Sequence, residues 1–393
     1  MSQTTNFWDR LNQFARGVKL DSISICGARL KYTPEATSHD SFGQILNKIN
    51  HSSKLDIAII SAHNMDEVTI VDRISPDHES EAQNLEVKVP GGSGANSSCA
   101  LASLGANVGI TGIVGHDENG GLLVRSLEEA GVDTTMMLID VSGQTGKTTT
   151  LVEEGGQRFI VVHPGVNNNF AEKMDLSSLI DFAASSKILH MSSFAGSNEF
   201  KLQEALLNKV GPTSVVSLNP GALYAKRGLD RLESMIKHVD VAFLYRHQLQ
   251  QLLGNSSAKT VPKDANSRDL LESYFSWKNK RNLDAPQTLI IKDPLKNING
   301  SIDQRFLTVG VGNKNLERYF GPKELPNGVK WHALDTTGSG DAAAAGFLHG
   351  MLNGAPLDAC IDAAFLMASF AAAYVGGRTA FHNNEKKGAI IKS

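Results

Sequence analysis

The sequence predicts an α/β fold with a mostly parallel central sheet, helices on both faces and a small separate β sheet. Short apolar runs typical of buried parallel strands begin at residues 55–60 (LDIAII) and recur, alternating with helical patterns, after residue 170. Strands that alternate with helices favour parallel pairing. The alternating patterns at about 68–90 and 147–165 do not fit this rhythm, so we expect them to form a lid sheet.

The predicted elements follow in chain order. Apolar side chains at helical spacing predict an amphipathic helix at 7–18, and a second short helix is predicted at 43–49. Both fall in an N-terminal helical extension, residues 1–54, that precedes a main domain at 55–393. Strands are predicted at 55–60, 68–74, 85–89, 108–114, 148–153, 158–162, 188–191, 214–218, 239–244 and 288–291, and helices at 97–103, 122–130 and 268–278.

Composition excludes several classes of protein. The chain has 393 residues with 38 basic and 41 acidic side chains, so nothing resembles a basic surface for nucleic acid. Its three cysteines lie far apart and match neither a zinc site nor a disulfide framework. No apolar run reaches the roughly 18 residues of a membrane span. We expect a cytoplasmic protein without a nucleic-acid or membrane partner.

The strongest local motif is residues 335–341 (DTTGSGD), which lead into an Ala-rich helix. Gly338, Ser339 and Gly340 can present backbone amides at a helix N-terminus, where unpaired donors and the helix dipole favour an anion. Asp341 at that position could accept the proton of an attacking hydroxyl. Taken alone, such a turn is more often an ordinary capped helix.

A second glycine-rich turn, residues 90–96 (PGGSGAN), follows a strand and precedes a helix. Gly91 and Gly92 let the backbone approach a ligand, and Asn96 both donates and accepts hydrogen bonds, as sugar hydroxyls require. Without a companion motif, a tight strand-to-helix connection would be the simpler interpretation.

Together the two turns resemble the signatures of the ribokinase (PfkB) family. The first comprises GGSGAN at 91–96, LGA at 104–106 and GIVGHDENG at 112–120; the second is DTTGSGD at 335–341. The resemblance covers about residues 55–382 and implies a ribokinase-like three-layer α/β/α fold with a β lid. It implies phosphotransfer from ATP with Mg²⁺, and it identifies Asp341 as catalytic base and residues 338–340 as anion hole.

The resemblance also assigns ligand-binding positions. Asn64 and Asp66 follow the first strand and match the substrate-binding Asn and Asp of the family, although an Asx turn is the simpler local interpretation. Asn167 matches the point where the lid returns to the substrate. Asp335 and Thr337 match positions that help to hold a monovalent cation, usually K⁺.

Two positions on the nucleotide side depart from the family. Tyr245 and Gln248 stand where an Asn-x-x-Glu motif is usual, and Lys292-Asp-Pro294 replaces a Thr-x-Gly turn. Gln248 keeps hydrogen bonding but loses the charge that magnesium favours, and Lys292 can contact phosphate as a point charge. An active sugar kinase, a nucleoside kinase and a sugar- or nucleoside-binding pseudokinase therefore stay open, and the exposed lid edge predicts a homodimer.

Overall fold

The structure is a computed structural model that describes residues 39–75, 79–153, 158–257, 262, 264–283, 287–295, 304–311, 314–318, 336–372, 374 and 376–381. The helix predicted at 7–18 lies outside these residues. The helix predicted at 43–49 is present as α1, His39–Asn47.

The strands and the remaining helices are as follows. The strands are β1 (Leu55–Ile60), β2 (Asn64–Val71), β3 (Ala82–Pro90), β4 (Val108–Gly115), β5 (Asp133–Asp140), β6 (Gly146–Glu153), β7 (Arg158–His163), β8 (Ser186–Ser192), β9 (Val215–Asn219), β10 (Val241–Tyr245), β11 (Thr288–Leu295), β12 (Gln304–Val311) and β13 (Lys314–Arg318). The helices are α2 (Ser93–Ser103), α3 (Glu118–Glu129), α4 (Phe170–Lys173), α5 (Leu176–Ala184), α6 (Ser197–Val210), α7 (Gly221–Ala225), α8 (Leu229–Ile236), α9 (Arg246–Gly254), α10 (Ser267–Asn279), α11 (Ser339–Leu352) and α12 (Leu357–Ala371).

Within the described residues, the central sheet has nine strands in the order β13-β12-β11-β10-β9-β8-β1-β4-β5. The seven from β11 to β5 are parallel, which confirms the predicted central sheet. β12 and β13 extend one edge in antiparallel register. Sequence patterns did not predict these two strands or β5. β5 is an edge strand with mostly partly exposed side chains, and the sequences of β12 and β13 mix polar with apolar residues, so none has a continuous apolar run.

Two apolar clusters cover the faces of the sheet, and β1 contributes side chains to both clusters. Ile57 and Ile59 pack with α2, α11 and α12 on one face, while Ala58 and Ile60 pack with α5 to α10 on the other. This division follows the two-residue period of a strand, whose successive side chains point to opposite faces.

Helix α11 lies inside the first cluster and is buried along almost its whole length. Its small residues allow close helix contact, since a Cβ on Gly346 would lie 2.3 Å from the carbonyl oxygen of Ala363 in α12. The Ala-rich composition therefore serves to seat this helix deeply, with its N-terminus at the carboxyl edge of the sheet.

The predicted small sheet is also present, in the order β3-β2-β6-β7. β2 pairs with β6 in parallel, while β3 and β7 add in antiparallel register. β2 begins at Asn64, four residues before the strand predicted at 68–74, so the predicted substrate-binding residues Asn64 and Asp66 lie within β2 itself. Among the described residues, no helix combines the length and apolar character needed to cross a bilayer.

Candidate active site

The second glycine motif forms a tight turn that starts α11. Gly338 caps the helix in the left-handed conformation (φ 71°), which favours glycine because it has no Cβ. A Cβ there would also lie 2.3 Å from the carbonyl oxygen of Gly377. Ser339 fixes the turn by donating its hydroxyl to the Thr336 carbonyl at 2.9 Å. Its amide donates to the same carbonyl at 3.3 Å, so that predicted anion-hole donor is already engaged.

Asp341, in the first turn of α11, is the centre of a hydrogen-bond network. Its Oδ1 accepts from Ser93 Oγ at 2.6 Å and from Asn219 Nδ2 at 3.1 Å, and its Oδ2 accepts from Asn96 Nδ2 at 2.9 Å. Burial raises the pKa of this carboxyl, against the opposing effects of these donors and of the Lys292 charge. A partly buried, oriented carboxylate with a raised pKa is suited to accept a proton.

The same contacts join the two glycine motifs, which are far apart in the chain. Ser97 Oγ donates to the Asp341 carbonyl at 3.1 Å, and Asn219 Nδ2 also donates to Ser93 Oγ at 3.0 Å. Sequence analysis did not identify Ser93 or Asn219 as site residues. The available signal for Asn219 was an Asn followed by Pro at the end of a buried strand, since ligands meet that edge of a parallel sheet.

Asp66 lies against the first glycine turn. A Cβ on Gly91 would lie 2.1 Å from Asp66 Oδ2, so only glycine fits beside this carboxylate. The Gly91 amide donates to the Asn64 carbonyl at 2.9 Å, and Thr148 Oγ1 of the lid donates to Asp66 Oδ1 at 2.7 Å. Asp66 is partly exposed and so is accessible to a ligand.

Asn167 is buried and has several contacts within the protein. Its Oδ1 accepts from the His63 amide at 2.9 Å, and its Nδ2 donates to the His63 carbonyl at 2.8 Å, to Asn64 Oδ1 at 3.1 Å and to the Pro164 carbonyl at 2.9 Å. In this arrangement Asn167 holds the junction between β1 and β2 and orients Asn64. A direct contact with substrate stays a prediction.

Arg378, in the segment after α12, forms hydrogen bonds with the first glycine-rich turn. The guanidinium is almost fully buried and donates to the carbonyls of Pro90 and Gly91 and to Ser126 Oγ, the last at 2.9 Å. Sequence analysis missed Arg378 because nothing in its local sequence indicates that it reaches residues almost 300 positions earlier.

On the nucleotide side, Gln248 and Lys292 lie in different surroundings. Gln248 Oε1 accepts from the Tyr245 amide at 2.9 Å and so caps α9. The predicted role of Gln248 on the nucleotide side stays a prediction. A Cβ on Gly340 would lie 2.7 Å from Lys292 Nζ and 2.8 Å from Tyr245 Oη, so Lys292 borders the predicted anion hole.

Comparison with known proteins identifies the family. The sequence model of the pfkB family carbohydrate kinases matches residues 54–292 and 324–384. The chain belongs to the PfkB family. It is 27% identical over 334 residues to an ATP-dependent ribose-1-phosphate kinase of Halopiger xanaduensis, covering 82% of this chain and 95% of that one. It is 28% identical over 262 residues to an uncharacterized sugar kinase of Archaeoglobus fulgidus, covering 66% and 89%.

Solved structures share the fold of this PfkB protein. A ribokinase from Cryptococcus neoformans in complex with ADP superposes with a TM-score of 0.66 at 20% identity, covering 84% of this chain and 97% of that one. Arabidopsis thaliana ribokinase complexed with ribose and ATP gives a TM-score of 0.64 at 18% identity, covering 83% and 95%. The predicted ribokinase-like fold is confirmed.

The PfkB family assignment also establishes the class of enzyme. The chain is a carbohydrate kinase, and the family implies ATP as phosphate donor. Asp335 lies outside the described residues, and Thr337 is partly buried in the turn before Gly338. The predicted monovalent-cation site at these two residues, like the use of Mg²⁺, stays a prediction.

Proposed function

We propose that this PfkB kinase transfers the terminal phosphoryl group of ATP to a hydroxyl of a sugar, with Asp341 as general base. The observation that carries this proposal is the convergence of Ser93, Asn96 and Asn219 on the partly buried carboxylate of Asp341. Helix α2 and strand β9 together hold this carboxylate at the N-terminus of α11, whose first amides favour a phosphoryl group.

The acceptor would bind between the lid and the first glycine turn. We propose that Asn64 and Asp66 bind neighbouring hydroxyls, since carboxylate and amide oxygens accept hydrogen bonds. Gly91 and Gly92 would let the backbone approach the sugar, and Asn96 would lie between the sugar and Asp341. Asn167 would act on this site through Asn64, which accepts from it.

In the chemical step, Asp341 would accept the proton of the acceptor hydroxyl. The hydroxyl oxygen would form a bond to the γ-phosphorus of ATP, the bond from that phosphorus to the β–γ bridging oxygen would break, and ADP would leave. The amides of Gly338 and Gly340 would stabilise the charge of the transferred group. Mg²⁺ would neutralise part of the phosphate charge, and Thr337 with Asp335 would hold K⁺.

The test is phosphotransfer from ATP to a panel of free sugars, ribose 1-phosphate and nucleosides, comparing wild type with Asp341→Asn. We expect turnover with a sugar and a loss of about 10²–10⁴-fold in kcat for the variant, as for other general bases. Asp181→Asn removes an exposed carboxylate on α5 and serves as the matched control. Turnover with nucleosides alone would move the assignment to a nucleoside kinase.

A different result of the same assay would favour the pseudokinase alternative. If wild type binds sugar or nucleoside but transfers no phosphoryl group with ATP, with or without Mg²⁺ and K⁺, the proposed catalytic role of Asp341 is wrong. Retained acceptor binding in the Asp341→Asn variant would then identify the pocket as a binding site only.

We also propose that the lid edge forms a homodimer contact. β7 is the edge strand of the small sheet, and it exposes Phe159 by 54% and Ile160 by 55%. An exposed apolar edge strand favours pairing with another strand. Light scattering tests this: wild type should have twice the mass of a Phe159→Lys/Ile160→Lys variant, and a monomeric wild type would contradict it.

A further inference from the structure

Lys292 is a buried cation at the carboxyl edge of the central sheet. The residue is 7% exposed. It pairs in register with Tyr245 on the neighbouring parallel strand β10, so both residues reach the same edge. The Lys292 ammonium lies 4.3 Å from the centre of the Tyr245 ring, a cation–π distance. The ring of Tyr245 in turn stacks on His247, with centroids 5.6 Å apart.

This ammonium lies next to the phosphoryl-binding turn. A Cβ on Gly340 would be 2.7 Å from Nζ, so the ammonium packs directly against the first turn of α11. Glycine at 340 makes room for the ammonium, because a side chain there would occupy the same place. A helix N-terminus and a cation beside it both favour an anion.

Within the part of the chain that the structure describes, the ammonium has no close counter-ion. Among the described residues, no carboxylate lies within salt-bridge distance of Lys292. Asp341 attracts it electrostatically, but the Asp341 oxygens accept hydrogen bonds from neutral donors. Burying an unpaired cation destabilises a fold, and such a group is typically retained where an anionic ligand arrives.

We propose that Lys292 is a catalytic residue whose ammonium binds a non-bridging oxygen of the phosphoryl group during transfer. The inference rests on the proposed phosphotransfer and adds a cation to its anion hole. Lys292 stays protonated throughout and exchanges no proton with the substrates. Tyr245 is a positioning residue, because its ring holds the ammonium over Gly340. In this proposal Lys292 on β11 supplies the positive charge beside the phosphoryl group. Gln248 supplies none, because it is neutral and engaged in the cap of α9.

The kinetic test compares Lys292→Met with wild type in ATP-dependent phosphotransfer. We expect kcat to fall at least about 100-fold while the KM of the acceptor changes less than about threefold, since the contact strengthens as charge moves in the transition state. Lys187→Met is the matched control: Lys187 pairs with Asp56 at the opposite end of the sheet, near the start of β8. An unchanged kcat in Lys292→Met would overturn the proposal.

Lys292→Arg and Tyr245→Leu separate a chemical role from a structural one. Arginine keeps the charge, so it should recover a measurable part of the activity that Met loses. Tyr245→Leu keeps the lysine but removes the ring beneath it, so kcat should fall by a smaller factor than in Lys292→Met. Equal losses in the Met and Arg variants, with circular dichroism unchanged, would indicate that only the lysine's packing matters.

A binding measurement keeps this inference distinct from the proposed function. Isothermal titration calorimetry without acceptor should show at least about tenfold weaker ATP binding in Lys292→Met and AMP binding within about twofold of wild type. That pattern would support phosphate binding by Lys292 even if wild type showed no phosphotransfer. Equal ATP affinities in wild type and variant would overturn it, and absence of turnover in wild type alone would count against Asp341.

Discussion

The acceptor side and the nucleotide side of the site are built in different ways. On the acceptor side, the carboxylates of Asp66 and Asp341 accept hydrogen bonds at 2.6–3.1 Å from neutral donors, Asn96 among them. On the nucleotide side, Lys292 is placed by an aromatic ring and by burial. The acceptor side keeps the pattern of the family, while the nucleotide side departs from it at Tyr245, Gln248 and Lys292.

Proton removal and stabilisation of the transferred phosphoryl group make different demands on the protein. A proton acceptor must be oriented to within hydrogen-bond geometry, which favours a dense network of fixed donors. A group that stabilises charge acts over a longer distance and in a low dielectric, so a cation in the right volume suffices. Different residues can therefore serve the nucleotide side, provided that the charge is present.

The largest effect is expected where the two sides meet, at Gly340. Gly340→Ala places a methyl group against Lys292 Nζ and Tyr245 Oη, so it should displace the cation and obstruct the phosphoryl site together. We expect kcat to fall at least about 100-fold, comparable to loss of an oxyanion-hole donor. Gly43→Ala in α1, where a Cβ meets nothing within 4 Å, is the control. Normal turnover in Gly340→Ala would break the proposed link between the two sides.

The pH profile of kcat/KM for ATP tests both sides of the site, because the acceptor side should set its acidic limb and the nucleotide side its basic limb. Activity should fall as pH drops through the pKa of Asp341, which burial raises, since the base must be ionised. Activity should also fall above the pKa of Lys292, which burial, against the opposing charge of Asp341, lowers to about 8. Within the described part of the chain, the other titratable groups around Lys292 are Tyr245, His247 and His190.

Lys292→Arg identifies the basic limb. Arginine stays charged at any pH at which the protein is folded, so the fall above pH 8 should disappear if Lys292 causes it. His247→Gln is the second comparison and should leave the basic limb in place. A basic limb that survives in Lys292→Arg would assign it to another group.

Arg378→Met tests whether the hydrogen bonds from Arg378 to the first glycine turn maintain the acceptor side. The change leaves the Pro90 and Gly91 carbonyls without their donors, so the glycine turn against Asp66 should loosen. We expect the acceptor KM to rise about tenfold and the free energy of unfolding to fall by about 3 kcal/mol, the scale for removing one partner of a buried charged contact. Arg125→Met on the exposed face of α3 is the control. A larger effect on ATP than on acceptor would contradict this division of the site.

In Lys292→Met the free energy of unfolding is expected to rise. The pKa of Lys292 falls from 10.5 to about 8 on folding, which corresponds to a destabilisation on the order of 3 kcal/mol at neutral pH. Because the folded state loses the proton first, this destabilisation disappears as pH rises from about 8 to 10.5. Urea unfolding at pH 7 and pH 10 should show a gain for Met that shrinks with pH. A less stable variant at pH 7 would indicate that the lysine packs favourably.

The positions of the central strands could be predicted from the sequence because buried parallel strands leave a continuous apolar pattern. The runs at 55–60, 188–191 and 288–291 each fall within an observed strand. Asp341 and the two glycine turns could be predicted because their local conformation requires glycine, as at Gly338. The edge strand β5 could not, because its partial burial leaves no comparable pattern. The strands β12 and β13 could not, because their sequences contain no comparable apolar run.

The sequence by itself determined the fold class, the family and the candidate base, since these depend on periodicity and on short contiguous motifs. The tertiary structure alone decided which distant residues meet: Ser93 and Asn219 on Asp341, Arg378 beneath Gly91, and Lys292 beside Gly340. It also showed that Gln248 caps a helix whereas Lys292 lies beside Gly340. In the sequence both positions were only departures from the family pattern. The physical reason is that burial and electrostatic contact depend on distance in space, which strand order and helix packing set, and not on separation along the chain.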